Sequence, residues 1–569
     1  MLKHLIEQGI GKRKADLVLK NGSFVNVFTG EVTSADIAIC GGKIAGFGEY
    51  EGREEIDIAG KIALPGYIDA HVHIESSQLT PEEFARLVLP RGTTTVIADP
   101  HEITNVCGIT GAEYIADASK NTPLEVHVML PSCVPATPFE TSGAVLSGSD
   151  IERYIREDFV FGLGEFMNYP GVVNTDEDVL KKLQAAIDAG KITDGHAPSL
   201  SGKTLNGYIA AAVRTDHECA SPEEAIEKIS KGMYVHLREG SATRNVAENC
   251  RAVNAANMRR FLFCTDDRHA ADLVANGHLD HALRVAVASG LDPVWAVTIA
   301  TLNAAECYKL PYKGAIAPAY DADIVVVDNL ADFGAELVIK AGKVVAREQK
   351  ALFAAQKYLP EAVKNTVKIK PVRPEDFRIA LKGKRANAIF VAKGGVVTEK
   401  RVVEIASEGG DVVLAGTDLL KLAIVERHRR TGNIGKALLQ GYGLKNGAIA
   451  LTISHDSHNI VVLGDNNGDM ATAVREIERI GGGMVLVDGG KPYSYPLDIA
   501  GLMSSGSAEA FVAESEKLLE HAYAMGVSRD YEAFMTLSFL GLAVIPELKL
   551  TDRGLFDVTK FSFIDINAD

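Results

Sequence analysis

Between residues 65 and 309, eight short runs with strand character alternate with longer, mostly amphipathic connections. The runs read GYIDAHVH (66–73), TTTVIAD (93–99), PLEVHVML (123–130), DFVFGLGEF (158–166), KITDGHA (191–197), RTDHE (214–218), GMYVHLRE (232–239) and RFLFCTDD (260–267). Connections such as DEDVLKKLQAAIDAG and SPEEAIEKISKG carry apolar residues at helical spacing. Eight such units over about 250 residues predict an α/β fold, a TIM-like (β/α)8 barrel whose functional groups gather at the C-terminal ends of the strands. The sixth run is the shortest and the weakest of the set.

The flanks have a different texture. From Ala15 to about Leu64, and again from Gly314 to about Ala346, short apolar runs are broken by turn signals such as Asn21-Gly22 and Gly41-Gly42. Two β-rich segments bracketing the barrel predict one small β domain, residues 1–64 plus 310–372, around a barrel of residues 65–309. After the basic, proline-bearing stretch AVKNTVKIKPVRPEDFR the texture turns α+β, and residues 373–569 are expected to form a separate C-terminal domain. The 569 residues carry a net charge of −16, which argues against a general nucleic-acid or anionic-membrane binder. The N-terminus lacks the apolar core of a secretory signal, and no window approaches the ~18 apolar residues of a membrane span. Seven scattered cysteines without a CxxC pair predict neither a disulfide framework nor a zinc ribbon, and a reducing cytoplasm is the expected compartment. A homo-oligomer, by default a dimer, is the expected assembly.

His71 and His73 lie two apart on the first strand and leave it on the same face. At a barrel mouth two such imidazoles can chelate one divalent ion, although an isolated HxH is more often structural. Its company gives the pair weight. Glu165 ends the fourth strand, His196 the fifth, His217 the sixth and Asp266 the eighth. Six N/O donors from five strands predict a two-metal centre, with Glu165 bridging cations held by His71 and His73 on one side and His196 and His217 on the other. Imidazole and carboxylate suit Zn, Fe, Mn or Co alike. Two cations about 3.5–4 Å apart share a water and make it nucleophilic near neutral pH. Asp266 beside that water is placed to accept its proton and pass it to a leaving group. Such a site favours hydrolysis.

These features resemble the amidohydrolase superfamily: HVH on strand one, single histidines closing strands five and six, an aspartate on strand eight, and TLNAAECYKL…KGAIAPAYDADIVVVD leaving the barrel. The blocks LPGYIDAHVHIESS, ADPHEITNVCG, GLGEFMN, DGHAP, TDHE, LREGSATRN and CTDDR are similar to adenine deaminases of the bacterial and archaeal type. So is ISHDSHNIVVLGDNNGDMATAV, and the likeness covers essentially the whole chain. It implies His71, His73, Glu165, His196, His217 and Asp266 as ligands of two divalent ions, manganese or iron, with zinc as an alternative. It also implies hydrolysis of adenine to hypoxanthine and ammonia in purine salvage. Protonation at ring N1 would make C6 more electrophilic, so a second acid besides Asp266 is needed. Glu239, ending strand seven, is the candidate if its pKa is raised; its neighbour Arg238 offers an ordinary ion pair instead.

Other residues carry competing readings. Asp99, His101 and Glu102 end strand two at the same mouth, where they orient ligands, contact the purine, or simply form a loop hydrogen-bond cluster. His236 is expected inside the barrel wall, and His269 either touches substrate or is a solvated loop residue. His278 and His281, three apart in HLDHALRVAVA, are expected on a polar helix face. In SHDSHN, Ser454, Asp456 and His458 are expected on one side of a strand, with His455 and Ser457 on the other. That alternation makes no catalytic triad, and the segment is expected to cap the mouth or line an interface. GDNNGDM is out of register for a calcium loop, and no phosphate-binding P-loop motif occurs. Rival functions remain open. Cyclic-amide hydrolases of this barrel class usually bridge their metals with a carboxylated lysine, whereas strand four offers Glu165 and no lysine. A noncatalytic scaffold barrel is expected to lose ligands that this chain keeps. Adenosine or another aminopurine is the alternative substrate, and a C-terminal domain folded over the mouth is the natural means of excluding a ribose.

Overall fold

Eight parallel strands form the centre of the molecule. In the computed structural model, which describes residues 2–392 and 394–568, they are β1 (Tyr67–Val72), β2 (Thr93–Ala98), β3 (Glu125–Leu130), β4 (Val160–Phe166), β5 (Thr193–Gly195), β6 (Thr215–Asp216), β7 (Tyr234–Arg238) and β8 (Phe261–Cys264). β1 and β2 are buried at every position, the environment that near-continuous apolar runs suit in parallel sheets covered on both faces. β1 to β5 pair side by side and β6 to β8 form a second set. Parallel bridges Thr193–Val213 and Val72–Asp266 join the two sets and close the ring. Ile68, Ala70, Ile97, Met129 and Leu262 fill the interior beside Tyr308, whose hydroxyl donates to Ala70 O at 2.7 Å and to the Asp194 carboxylate at 2.8 Å.

The pairing of β1 with β2 slips between Asp69 and Val72. Ile68 and Ala70 belong to the interior cluster, so strict alternation would send His71 and His73 outward; the slip turns them into the mouth. Irregularities of this kind re-aim side chains beside functional sites. The connections are amphipathic. The helix Glu177–Asp188 starts at Asp176, whose side chain accepts from the amides of Asp178 and Val179, and it buries Val179, Leu183 and Ala186 along one face.

Strands from both flanks share one seven-stranded sheet, in which Ile62–Pro65 runs antiparallel to Ile324–Val327 and parallel to Ser23–Asn26. Leu17, Phe24, Ile39, Ala63, Ile324 and Ile339 bury their side chains between it and a four-stranded sheet. Nearer the C-terminus an eight-stranded sheet carries the helix Asn467–Ile480 through Met470, Val474 and Ile477. Here the SHDSHN expectation is corrected. Gly447–Leu451 and Ile460–Gly464 are antiparallel neighbours, so the chain must reverse between them, and residues 454–458 lie in that reversal rather than alternating along a strand.

This part of the chain docks on the barrel mouth. Thr141 donates from its amide and its hydroxyl to the Asp552 carboxylate at 2.9 and 2.8 Å. Ser504 N donates to Gln78 O at 2.8 Å, and Arg86 pairs with Glu509. Among the described residues no helix is long and apolar enough to cross a membrane.

Candidate metal centre

The mouth brings together six side chains from the ends of five strands. His73 Nε2 lies 3.2 Å from Glu165 Oε1 and 3.1 Å from Asp266 Oδ1; His71 Nε2 lies 3.6 and 3.4 Å from the same oxygens. The other oxygen of Glu165, Oε2, is 2.8 Å from His196 Nδ1 and 3.4 Å from His217 Nε2. One buried carboxylate therefore faces an imidazole pair at each end.

Local backbone explains the placement. Asp266 has φ +56°, a left-handed conformation uncommon for a residue with a side chain, stabilised by its amide donating to His71 O (3.0 Å) and its carbonyl accepting from His73 N (3.2 Å). The Glu165 amide donates to Asp99 Oδ2 at 2.7 Å. That approach requires glycine at position 164, because a Cβ there would sit 2.2 Å from the same oxygen.

The donor set fits divalent cations. His73 donates Nδ1–H to the Asp99 carbonyl at 2.8 Å, and a carbonyl can only accept, so the neutral ring presents a bare lone pair at Nε2. That lone pair faces His71 Nε2 at 3.2 Å and two carboxylate oxygens, while Glu165 Oε2 and His71 Nδ1 have no hydrogen-bond partner among the described residues. Buried acceptors aimed at acceptors are unfavourable by themselves and are satisfied by positive charge between them. The electrostatics agree. Burial opposes charging His71 and His73, yet the facing carboxylates outweigh it and raise both rings well above the ordinary histidine range, a pull on positive charge that a cation would answer while leaving the rings neutral.

Arg238 forms an ion pair with Asp266 Oδ2 at 2.9 Å and donates to the Glu218 carboxylate. Burial pushes the Asp266 carboxyl up, but Arg238 and the histidines more than offset that and hold it well below the usual range. The alternative reading, an Arg238–Glu239 ion pair, is not what the structure shows: Arg238 pairs with Glu218 and Asp266. Successive strand residues point apart, and Glu239 sits instead 3.6 Å from His281 Nε2 and 3.9 Å from Arg244. His101 spans the centre and the domain above it, with Nδ1 3.4 Å from Glu165 Oε1 and Nε2 3.5 Å from Glu102 Oε1. Glu102 in turn receives both histidines of the SHDSHN turn, His455 Nδ1 at 2.6 Å and His458 Nε2 in a closer contact.

The remaining histidines divide. His236 is fully buried with both ring nitrogens unpartnered. His278 does not share a polar helix face with His281: it precedes the helix Leu279–Ala288, fully buried, bonded to Thr93 Oγ1 at 2.8 Å and 3.2 Å from Asp69. Packing against the barrel wall decides that face. His269 precedes the helix Ala270–Asn276 and lines a chamber of about 120 Å³ between barrel and C-terminal domain, with Glu75, Ser76, Glu102 and His455. Leu451, Phe511 and Phe534 make its far wall apolar.

Sequence reasoning passed over Glu218, 3.5 Å from His217 Nε2, and Asp194, 3.8 Å from His71 Nδ1. Both had a signal: Glu218 follows a strand-end histidine, and Asp194 precedes another by two residues on the same strand. Buried Glu140, beside Asp456, had none, because it lies in a loop.

A closed parallel barrel with paired histidines and carboxylates at its mouth defines a metal-dependent hydrolase, and residues 62–345 match the amidohydrolase family. That family implies divalent metal ions. Residues 395–562 match the adenine deaminase C-terminal domain. The chain is 49% identical over 570 residues to the adenine deaminase of Nitratidesulfovibrio vulgaris, covering 100% of this chain and 99% of that one. It is also 49% identical over 568 residues to adenine deaminase 2 of Carboxydothermus hydrogenoformans, covering 100% and 99%. With the adenine deaminase of Clostridium acetobutylicum the figure is 49% over 569 residues, covering 99% and 100%. The chain belongs to the adenine deaminase family.

Proposed function

We propose that this chain hydrolyses adenine to hypoxanthine and ammonia in purine salvage, using two divalent cations, manganese or iron. The observation that carries the reading is the Glu165 carboxylate, with an imidazole pair at each oxygen and Asp266 beside the first pair. His71 and His73 would hold one cation with Glu165 and Asp266, and His196 and His217 the other with Glu165. Held by these residues, the cations would supply an acidified water, positioned for attack.

The chain's own residues then divide the remaining work. Asp266 takes the water proton through Oδ1 and delivers it to the exocyclic nitrogen, which leaves as ammonia while the C6–O bond replaces the C6–N bond. Arg238, ion-paired with Oδ2, keeps that carboxylate ionised and oriented. Glu239 is the acid we assign to ring N1, and it regains its proton from the C6 hydroxyl as the carbonyl of hypoxanthine forms; His281 and Arg244 are its neighbours. The Asp99 carboxylate orients Glu165 by accepting from the Glu165 amide, and the Asp99 carbonyl orients His73; His101 and Glu102 tie the centre to the turn that covers it. The apolar chamber beside Glu102 suits the approach of a planar base. We assign residues 1–64 with 310–372, 65–309 and 373–569 as the three domains, and a cytoplasmic homodimer as the working form.

The test is ammonia release from adenine by protein prepared with iron excluded and manganese supplied, with hydantoin and dihydrouracil as competing substrates and metal content measured alongside. Turnover of adenine is expected at about two ions per chain. Turnover of the cyclic amides without turnover of adenine would overturn the reading.

A further inference from the structure

The turn over the barrel mouth is fixed from several sides. Glu102 of the barrel accepts from His455 and His458. The His428 ring contacts the Ser457 carbonyl at 2.7 Å, fully buried Arg427 donates to the His458 carbonyl, and Asn459 donates to Thr141 O at 2.8 Å. His458 itself is left-handed, with φ +55°. The Glu102 cluster resembles a third cation site but is built as a hydrogen-bonded clamp. Ser454 N–H donates to His458 Nδ1 at 3.2 Å, which puts the ring proton on Nε2, facing Glu102. The 2.6 Å separation of Glu102 from His455 is likewise a hydrogen-bond length, shorter than the edge of a typical coordination shell.

What this clamp holds in place is Asp456. The residue is 4% exposed, and its Oδ2 is buried with no donor among the described residues. It lies within electrostatic reach of His101 and Glu165, in the turn whose two histidines Glu102 holds over the mouth. A buried carboxylate oxygen without a donor is unfavourable and calls for a ligand N–H. Multiple anchors behind an unsatisfied group are the mark of a preorganised binding element.

We propose that Asp456 is a substrate-specificity residue, accepting a hydrogen bond from the imidazole-ring N–H of a free purine base. This deepens the adenine reading and rests on it for the identity of the ligand. A free base carries that proton on N9 or N7. A nucleoside carries neither, because N9 bears the sugar and N7 is then a lone-pair acceptor. One carboxylate therefore selects bases against nucleosides, and it does so from the C-terminal domain.

The test compares wild type with Asp456→Asn and Asp456→Ala, each checked for unchanged metal content and thermal midpoint. Calorimetric binding of adenine and 9-methyladenine is measured beside kcat/KM for adenine. Adenine binding and kcat/KM should fall by about 10- to 100-fold in both variants, the range of a charged hydrogen bond. The preference of wild type for adenine over 9-methyladenine should shrink to near parity in Asp456→Ala, which a purely structural role would not produce. Variants that keep kcat/KM within about two-fold of wild type, or an undiminished preference in Asp456→Ala, would overturn the proposal. Wild type that binds adenine but releases no ammonia would defeat the deaminase reading alone, since the binding arms still judge Asp456.

Discussion

Glu102 gives the sharpest test of how the two domains are joined. It is 3% exposed, and both of its oxygens are taken by imidazoles from the C-terminal turn. Burial works against charging His455, but the Glu102 carboxylate outweighs it and lifts that ring to about 9. A histidine raised from about 6.5 to about 9 contributes about 3 kcal/mol well below pH 6.5, somewhat less at pH 7 and almost nothing by pH 10. The sign follows from the proton count. The folded state binds the extra proton between the two pKa values, so this stability is complete at low pH and is lost as pH rises through 9. Glu102→Gln removes the charge and leaves one acceptor for two ring N–H groups, adding a pH-independent loss of about 1–3 kcal/mol. Asp267 and Asp456 retain part of the His455 shift in the variant, so the pH-dependent part of the gap should be about 2–3 kcal/mol at pH 6. Urea unfolding followed by circular dichroism at pH 6, 7, 8.5 and 10 measures it. A wild-type-to-variant gap that stays flat over this range refutes the ion-pair account of the clamp.

Three further outcomes follow from the centre. Glu165→Gln should lower bound metal to about one ion or fewer per chain and cut adenine turnover by about 10³-fold or more, read by metal analysis and ammonia release; two tightly bound ions in the variant would contradict its bridging role. Gly164→Ala puts a Cβ 2.2 Å from Asp99 Oδ2, and should destabilise by about 1–3 kcal/mol while loosening Glu165; an unchanged melt would show that the Asp99 contact is slack. Arg238→Met leaves the buried Asp266 and half-buried Glu218 carboxylates without their shared cation, so kcat should drop by about 10²-fold with partial recovery in Arg238→Lys, and equal activity of all three proteins would remove Arg238 from the mechanism.

Local periodicity explains what could be read from the chain alone. Period-two runs and amphipathic connections specify strands and helices within a few residues of themselves, so the eight strands, the shared face of His71 and His73, and the strand-end positions of Glu165, His196, His217 and Asp266 were legible. The resemblance to adenine deaminases added the chemistry. Tertiary structure alone decided the rest, because those outcomes depend on atoms far apart in sequence. The slip between Asp69 and Val72 aims the histidine pair inward, and it depends on how β1 registers against β2. Arg238 chooses Asp266 and Glu218 over its neighbour Glu239, because pleating sends adjacent side chains apart and the closed barrel presents the other carboxylates. His278 loses its polar face to the barrel wall. The SHDSHN segment becomes a turn rather than a strand only because its two flanking strands pair antiparallel. Glu102 and His455, 353 residues apart, meet because the C-terminal domain closes over the mouth. No periodicity within a segment encodes a contact of that range; it is set by packing and charge compensation across the whole folded chain.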